Sequence, residues 1–270
     1  MSLASSKTPP SAEPEPSFDL DYSIHDFEAG EPHRDSEFLF RRIEEAMVDE
    51  GAVPGGRALD VASGTANLVA RLFDRGTQAW GIEPSVEMNG IARYLHPNDH
   101  LILVRGIAEQ LPFRDGVFDC VTCQGSLDHF VHPENFMQEA ARILKPDGRL
   151  VLALANYESL SCKLGRLRMW VRTTVLRRPP LSGRPYYEIP LDHYHKGDLP
   201  FVRRLGGQWM RGDRLYGISM LWLLPRWGVL LDRLPGALTR PLLVALDRVA
   251  HRLPALSDMI ISVWRPLRPR

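Results

Sequence analysis

Residues 58–67 (ALDVASGTAN) constrain the fold of this chain more than any other segment. A short apolar run ends there in a bend of small side chains, and residues 68–73 continue with the periodicity of a helix. A buried strand that turns through small residues into a helix lets backbone N–H groups approach a ligand closely, with the helix N-terminus facing the same point. Asp60 lies inside the apolar run. Because a buried carboxylate needs a partner, the segment predicts a ligand with cationic or N–H groups.

The composition allows one large domain. The chain has 270 residues, of which 44% are hydrophobic and 24% charged, enough to bury a full core. Residues 1–17 are rich in Pro, Ser, Ala and Glu, and they lack the basic start and apolar stretch of a signal peptide. We therefore expect a disordered tail at residues 1–20 and a single domain at 21–270. No uncharged apolar run approaches the roughly 20 residues that span a bilayer, so no transmembrane segment is predicted.

The three cysteines bear on compartment and on metal chemistry. Cys120 and Cys123 form a C-x-x-C pair, a spacing found in metal and redox sites. The sequence has no second pair, and these two lie in a β-like run rather than at the start of a helix, where redox cysteines are activated. The pattern favours structural cysteines over a metal or redox pair, and it is typical of a reducing, cytoplasmic compartment.

Charge is balanced overall but unevenly distributed. Residues 1–160 contain 13 Lys and Arg against 26 Asp and Glu, whereas residues 161–270 contain 20 against 7. Such asymmetry predicts either a surface for anionic partners or two parts of one domain that attract each other. The basic part lacks an RNA-binding module and a strip of alternating aromatic and basic residues, so no nucleic-acid partner is expected.

Three further segments follow the bend at fixed spacing. Residues 78–85 (QAWGIEPS) form a second apolar strand, residues 106–113 are GIAEQLPF, and residues 118–154 contain FDCV and KPDG followed by RLVLAL. Over residues 54–155 these segments resemble the class I S-adenosylmethionine (SAM) dependent methyltransferases of the small-molecule, methyltransferase-11-like type. That family's loop is written L-D-x-G-x-G-x-G. In this chain Gly64 matches, and Ala62 and Ala66 replace the outer two glycines.

The alternation of strand and helix patterns predicts an α/β fold, with a doubly wound, mostly parallel sheet covered by helices on both faces. The resemblance implies a Rossmann-like sheet of seven strands, the last of them antiparallel. Within the core, a KPDG turn at 145–148 ends a helix, and a fifth strand covers 149–154. After the core we assign helices at 160–175 and at 198–205, the second ending at Gly206 and Gly207, and a sixth strand at 208–216. A helical insert at 217–254, broken by Pro225, Pro235 and Pro241, precedes a seventh strand at 259–264. A further helix is predicted at 36–48, near the N-terminus.

Glu83 ends the second strand about 20 residues after the loop, where doubly wound folds place an acid that accepts hydrogen bonds from ribose hydroxyls. The alternative is an exposed glutamate that caps the next helix. The resemblance implies that Met88 packs on adenine, with core packing as the alternative. It also gives Ile107 the place of an acid that usually binds the adenine amino group, and it lets the Ala108 N–H donate to the ring.

The resemblance implies a SAM site built from the glycine loop, the ribose acid, the GIAEQLPF segment and the end of the fourth strand. Its members are Asp60, Ala62, Ser63, Gly64, Ala66, Asn67, Glu83, Pro84, Met88, Ile107, Ala108, Glu109, Gln124, Gly125 and Ser126.

His129 is the first candidate for a general base, because it titrates near neutrality and belongs to a segment that lies next to the cofactor in the family. The alternative is a histidine that lines the pocket or serves the structure. His193 and His195 lie on a loop that can face the acceptor. A histidine-based metal site would need a third ligand at a clear spacing, and the sequence shows none, so no metal is predicted.

Two segments outside the core bear on the acceptor. Tyr22 or Phe27 either covers the methyl donor or packs in the core. Residues 217–254 form a lid that packs on the core, the wall of a lipophilic acceptor pocket, or a helix that lies on a membrane surface. We divide the domain into a cofactor-binding core at 54–155 and an acceptor-side and lid region at 156–270.

The sequence therefore predicts a cytoplasmic, SAM-dependent methyltransferase that acts on O, N or C of a small, apolar or aromatic acceptor. One alternative is methylation of a quinone or lipid head group at a membrane surface, which allows peripheral membrane contact. Another is a SAM-binding protein without catalysis. A nicotinamide-dependent oxidoreductase shares the loop and the ribose acid but does not need the GIAEQLPF and KPDG segments. The oligomeric state does not follow from the sequence.

Overall fold

The structure, a computed structural model, describes residues 33–97, 101–191 and 193–267, and in these ranges seven strands form one sheet. In chain order they are β1 (Arg57–Val61), β2 (Gln78–Ile82), β3 (Ile102–Val104), β4 (Phe118–Gln124), β5 (Leu144–Ala155), β6 (Met210–Ile218) and β7 (Met259–Pro266). The order across the sheet is β3-β2-β1-β4-β5-β7-β6, and β7 runs antiparallel to both of its neighbours. The pairs among β1 to β5 are parallel, so the predicted doubly wound sheet with an antiparallel last strand is confirmed.

The helices cover both faces of the sheet. They are α1 (Arg34–Gly51), α2 (Asn67–Asp74), α3 (Val86–Leu95), α4 (Pro133–Ile143), α5 (Leu160–Trp170), α6 (Leu199–Trp209), α7 (Trp227–Arg233) and α8 (Gly236–Arg252). Apolar side chains of α4 and α6 pack in one core cluster with Leu59 and Val61, whereas those of α1 and α2 pack in a second cluster with Ala58. Alternate residues of β1 thus enter opposite layers, as the strand period of two requires.

Cys120 and Cys123 follow the same alternation. Cys120 belongs to one core cluster and Cys123 to the other, so the two thiols lie on opposite faces of β4. Both are free and buried, and burial raises the pKa of Cys120 to about 12. A thiol with so high a pKa is a poor nucleophile and a poor metal ligand, which supports the structural interpretation of the C-x-x-C pair.

Two predicted boundaries are wrong because tertiary packing overrides the local pattern. The predicted stop at Gly206 and Gly207 lies inside α6. A Cβ at position 206 would lie 2.4 Å from the Trp264 ring, so glycine there lets α6 approach β7 rather than end the helix. Pro241, a predicted break, lies inside α8, whose buried Leu243 and Ala250 hold the helix against the core beyond the proline.

The KPDG segment also differs from the prediction. Helix α4 ends at Ile143, and β5 already begins at Leu144, which pairs with Phe118 before a register shift leads to the Cys120–Arg149 pair. Lys145 Nζ lies 2.8 Å from both carboxylate oxygens of Asp119, and this ion pair holds the irregular start of the strand against β4. In the described ranges, no helix combines the length and the apolar character needed to cross a bilayer.

Candidate cofactor and methyl-transfer site

Three residues of the bend after β1 have backbone conformations in the left-handed region. Ala62, Gly64 and Ala66 have φ values of 56°, 52° and 61°. Alanine in this region costs roughly 1–2 kcal/mol, because its Cβ approaches the following carbonyl oxygen. Both alanines nevertheless adopt the conformation, and strain of this kind is typical of functional loops. Ala66 directly precedes α2, so the bend brings its backbone N–H groups to the N-terminus of that helix.

An Ala62→Gly variant is expected to be more stable than the wild type, by up to about 1 kcal/mol. The strain energy that glycine relieves in the folded state exceeds the free-energy cost of the conformational entropy that it adds to the unfolded chain. Urea denaturation measures the difference. Ala70→Gly in the interior of α2 is the matched control, and it should lose about 0.5–1 kcal/mol. Equal destabilisation by both variants would contradict a strained conformation at Ala62.

Glu83 joins the bend to the end of β2. Its side chain is fully buried, and its two carboxylate oxygens accept the Gly64 N–H and the Ser85 N–H, each at 2.9 Å. The alternative of an exposed glutamate that caps the next helix is wrong. Ser85 caps α3, since its hydroxyl accepts the Met88 N–H at 3.2 Å.

Asn89 fixes the segment that carries Glu83, a role that the sequence did not reveal. Its side-chain amide donates to the carbonyl oxygens of Glu83 and Ser85, at 2.9 and 2.8 Å. The Arg105 guanidinium donates to the Pro84 carbonyl oxygen at 2.9 Å. Met88 is buried beneath this turn at 4% exposure. The acid is therefore held rigidly at the carboxyl edge of the sheet, a requirement for a preorganised binding site.

Asp60 lies buried in the adjacent strand, as predicted from its place in an apolar run. The Thr122 hydroxyl on β4 donates to Asp60 Oδ1 at 2.7 Å. Burial raises the pKa of Asp60 to about 7; the Thr122 hydrogen bond opposes this shift, and the nearby charge of Glu83 adds to it. A cationic ligand would reverse the shift, since opposite charge favours the ionised carboxylate.

The GIAEQLPF segment crosses the same edge after β3. Ala108 is buried in the core cluster of β1 and β4, and Ile107 is half-buried. The carboxylate of Glu109 accepts the N–H groups of Val131 and His132, at 3.1 and 3.4 Å. Glu109 therefore orients the segment that follows His129, a contact beyond the cofactor role that the resemblance gave it.

The end of β4 completes the edge. Gln124 is exposed and Ser126 is half-buried, and Gly125 has a φ of 67°, with its N–H donating to the Ala153 carbonyl oxygen at 2.8 Å. The Ser126 hydroxyl donates to the Gln124 carbonyl oxygen at 3.2 Å. The carboxyl ends of β1, β2 and β4 thus meet at one edge with the predicted cofactor residues, where open α/β sheets bind ligands.

Asp128 and His193 form a pair that sequence analysis missed. Asp128 Oδ2 lies 2.8 Å from His193 Nδ1, at ion-pair distance, and the two side chains are 3% and 11% exposed. The Asp128 carbonyl oxygen accepts the N–H groups of Tyr194 and His195, at 3.0 and 3.1 Å. The loop that carries His193 is therefore tied to the short 3-10 helix Leu127–His129.

The three candidate histidines separate into two environments. The rings of His129 and His193 lie 4.0 Å apart between centroids, and Tyr157 meets His193 edge-on at 5.8 Å. His195 instead stacks on Phe201, at 5.5 Å. His129 and His193 thus share one site, and His195 lies against α6.

In the part of the chain that the structure describes, Asp128, His129 and His193 together can hold a metal ion. Each offers one ligand atom, and these atoms lie within 4.8 Å of one another. Two imidazoles and one carboxylate form a donor set that suits transition metals. The sequence showed no third ligand, because His193 reaches the other two only through the tertiary fold. Tyr22 and Phe27, predicted to cover the methyl donor, lie outside the described residues.

Comparison with known proteins agrees with this geometry. Residues 59–152 match a family described as a methyltransferase domain. A demethylmenaquinone methyltransferase of Renibacterium salmoninarum is 36% identical over 114 residues, which are 42% of this chain and 47% of that protein. A ubiquinone/menaquinone biosynthesis C-methyltransferase of Pseudomonas fluorescens is 34% identical over 112 residues, 38% of this chain and 43% of that protein. The matched part thus spans less than half the length of these relatives.

Solved structures share the fold at low identity. A SAM-dependent methyltransferase from Aquifex aeolicus superimposes with a TM-score of 0.51 at 13% identity, covering 83% of this chain and 89% of that chain. The cyclase SpnF superimposes with a TM-score of 0.53 at 18% identity, covering 83% and 80%. These likenesses show the fold alone. Together with the family match over residues 59–152, they show that this chain is similar to methyltransferases and shares their fold.

Proposed function

We propose that this protein binds SAM and transfers its methyl group to a small, apolar or aromatic acceptor. The observation that carries the proposal is the buried Glu83 carboxylate, held between the Gly64 bend and Ser85 at the carboxyl edge of the sheet. The carboxylate lies at the position where doubly wound folds place the acid that accepts hydrogen bonds from ribose hydroxyls.

The remaining cofactor residues divide by the part of SAM that they suit. The bend at the N-terminus of α2 and the carboxylate of Asp60 suit the zwitterionic amino-acid end, because helix N–H groups favour its carboxylate and the buried Asp60 favours its ammonium group. Met88, Ile107 and Ala108 supply an apolar wall for adenine. Bound SAM supplies an activated methyl group, so alignment of the acceptor alone provides roughly 7–11 kcal/mol of the catalytic effect.

The acceptor class that we favour is a quinone-type ring. The support comes from two relatives, a demethylmenaquinone methyltransferase and a C-methyltransferase of ubiquinone/menaquinone biosynthesis. Methylation of a ring carbon releases a proton. His193 is the proton acceptor that we propose, in place of His129, because Asp128 faces its Nδ1 and leaves Nε2 for the acceptor.

Labelled SAM tests the function directly. The protein is incubated with methyl-labelled SAM and a cell extract, and label is followed into small molecules, lipid and protein. Label in a quinone fraction supports the proposal. A second candidate function is SAM binding without catalysis, which the replacement of two loop glycines by Ala62 and Ala66 favours. Tight SAM binding by calorimetry, without label transfer to any fraction, would support that candidate and contradict methyl transfer.

SAM affinity is expected to rise with pH up to about 7. Protonated Asp60 must lose its proton to face a cation, and its pKa is about 7 in the folded protein. Affinity should therefore be about 30-fold weaker at pH 5.5 than above pH 7.

In the absence of SAM, the contribution of Asp60 to the free energy of unfolding changes with pH in the opposite direction. The raised pKa makes the folded state hold its proton longer than the unfolded state, so this group stabilises folding less as pH rises from about 4 to 7.

Calorimetry across this range measures the affinity, with Asp60→Asn as the paired variant. The variant should bind weakly at every pH and show a flat profile. A wild-type profile that is flat between pH 5.5 and 7.5 would contradict a role for Asp60 at the cationic end of SAM.

A further inference from the structure

The segment after β5 has an extreme charge balance. Residues 159–187 contain seven basic side chains and no acidic one. They are Lys163, Arg166, Arg168, Arg172, Arg177, Arg178 and Arg184. The segment forms α5, a π-helical turn at Val171–Val175 and the loop that follows. Its net charge favours an anionic partner.

The exposed side of this segment is apolar as well as basic. Ser161, Cys162 and Gly165 bury one face of α5. On the opposite face the exposed fractions are 37% for Leu164, 54% for Leu167, 55% for Trp170 and 58% for Val175. These residues recur at helical spacing, and Leu176 and Leu181 extend the exposed apolar surface beyond the turn. We call the exposed side chains of residues 163–184 the basic apolar face.

Among the described residues, two of these cations have close partners within the fold. Arg166 pairs with Glu158 at 2.5 Å, and Arg172 donates to the Pro179 carbonyl oxygen at 2.6 Å. Arg168, Arg177 and Arg178 are exposed beside the apolar side chains. Cations beside an apolar stripe form the pattern of helices that lie in the plane of a membrane interface.

The basic apolar face lies next to the methyl-transfer site. Helix α5 starts just beyond the carboxyl end of β5, and the Arg166 guanidinium donates to the carbonyl oxygen of Tyr157 at 3.2 Å. Tyr157 is the residue whose ring meets His193. The face and the site therefore share one edge of the molecule.

We propose that the basic apolar face docks on the surface of a bilayer that contains anionic lipids. Trp170 and the aliphatic side chains enter the interface, and the arginines meet lipid phosphates. A nucleic acid would satisfy the arginines but would leave the large apolar side chains in water, so the lipid surface is favoured. Delivery of a lipophilic acceptor from this surface rests on the proposed function; the docking itself does not.

The test is co-sedimentation of the full chain with phosphatidylcholine vesicles in which about one third of the lipid is phosphatidylglycerol. We expect binding that weakens as salt rises and that nearly vanishes with phosphatidylcholine alone. The triple variant Arg168→Gln, Arg177→Gln, Arg178→Gln should bind about 100-fold more weakly, since each cation near the surface contributes about fivefold. The double variant Leu167→Ser, Trp170→Ser should also lose binding, and circular dichroism checks that both variants fold.

The matched control is Arg233→Gln, Arg240→Gln, Arg248→Gln on α7 and α8, which removes the same charge from exposed positions outside the basic apolar face. It should bind within about twofold of the wild type. Equal losses in the two triple variants would mean non-specific charge attraction and would overturn the proposal, as would binding to duplex DNA but not to vesicles. Methyl transfer without binding to vesicles would contradict only this inference. Binding to vesicles without binding to SAM would contradict only the proposed function.

Discussion

A Glu83→Ala variant is expected to lose about 1–3 kcal/mol of SAM-binding free energy, because two ribose hydroxyls lose their acceptor. It should also lose stability, by about 1–3 kcal/mol for each buried donor left unpaired. The donors are the N–H groups of Gly64 and Ser85, which the carboxylate holds at 2.9 Å. Calorimetry with SAM measures the first effect, and urea denaturation the second.

The matched control is Glu37→Ala, an exposed acid in the first turn of α1, which should change neither quantity by more than about 0.5 kcal/mol. The two measurements separate two roles of Glu83. Lower stability with unchanged SAM affinity would mean that the acid only organises the bend. In that case the central observation behind the proposed function would no longer support it.

A His193→Gln variant is expected to lower kcat by about 10²–10⁴-fold, the usual contribution of a positioned general base. The assay uses labelled SAM with reduced demethylmenaquinone as the acceptor. Asp128→Asn should lower kcat with little change in KM, because the carboxylate 2.8 Å from Nδ1 stabilises the protonated imidazole by charge rather than binding the acceptor. Calorimetry should show that both variants retain SAM affinity.

The other histidines serve as controls. His195→Gln should stay within about tenfold of the wild type, since this ring stacks on Phe201 away from the pair. His129→Gln should also stay within about tenfold, although its ring lies 4.0 Å from that of His193. A larger loss in His129→Gln than in His193→Gln would reverse the assignment of the base. Activity that a chelator removes and Zn²⁺ restores would assign Asp128, His129 and His193 as metal ligands instead.

The local sequence was sufficient to predict a structural feature wherever one contiguous segment contains the residues that form it. The bend after β1 was predictable although two glycines are alanines, because the strand, the small residues and the helix are contiguous. Glu83 was predictable for the same reason, since it ends a strand at a fixed distance from that bend. The parallel order of the sheet followed from the alternation of strands and helices.

The predicted ends of helices and strands were wrong where a contact with a residue distant in sequence determines the local structure. The low helix propensity of glycine predicts that a helix ends at Gly206. In the structure Gly206 lies inside a helix, where the missing side chain leaves room for the Trp264 ring on β7. The residues that follow Lys145 predict a turn. In the structure Lys145 is part of β5, and its ammonium group pairs with Asp119 on β4. In both cases a contact across the sheet outweighs the preference of a few residues.

By itself the sequence determined the fold class, the bend after β1 and the acid that follows β2, because each is encoded within a short contiguous segment. Only the tertiary structure decided which histidine Asp128 faces, that Glu109 bonds to the backbone at 131 and 132, and which side of α5 remains exposed. These features join segments far apart in the chain or depend on which surface the fold leaves uncovered. Periodicity and spacing carry no information about either, since they describe neighbours in sequence rather than neighbours in space.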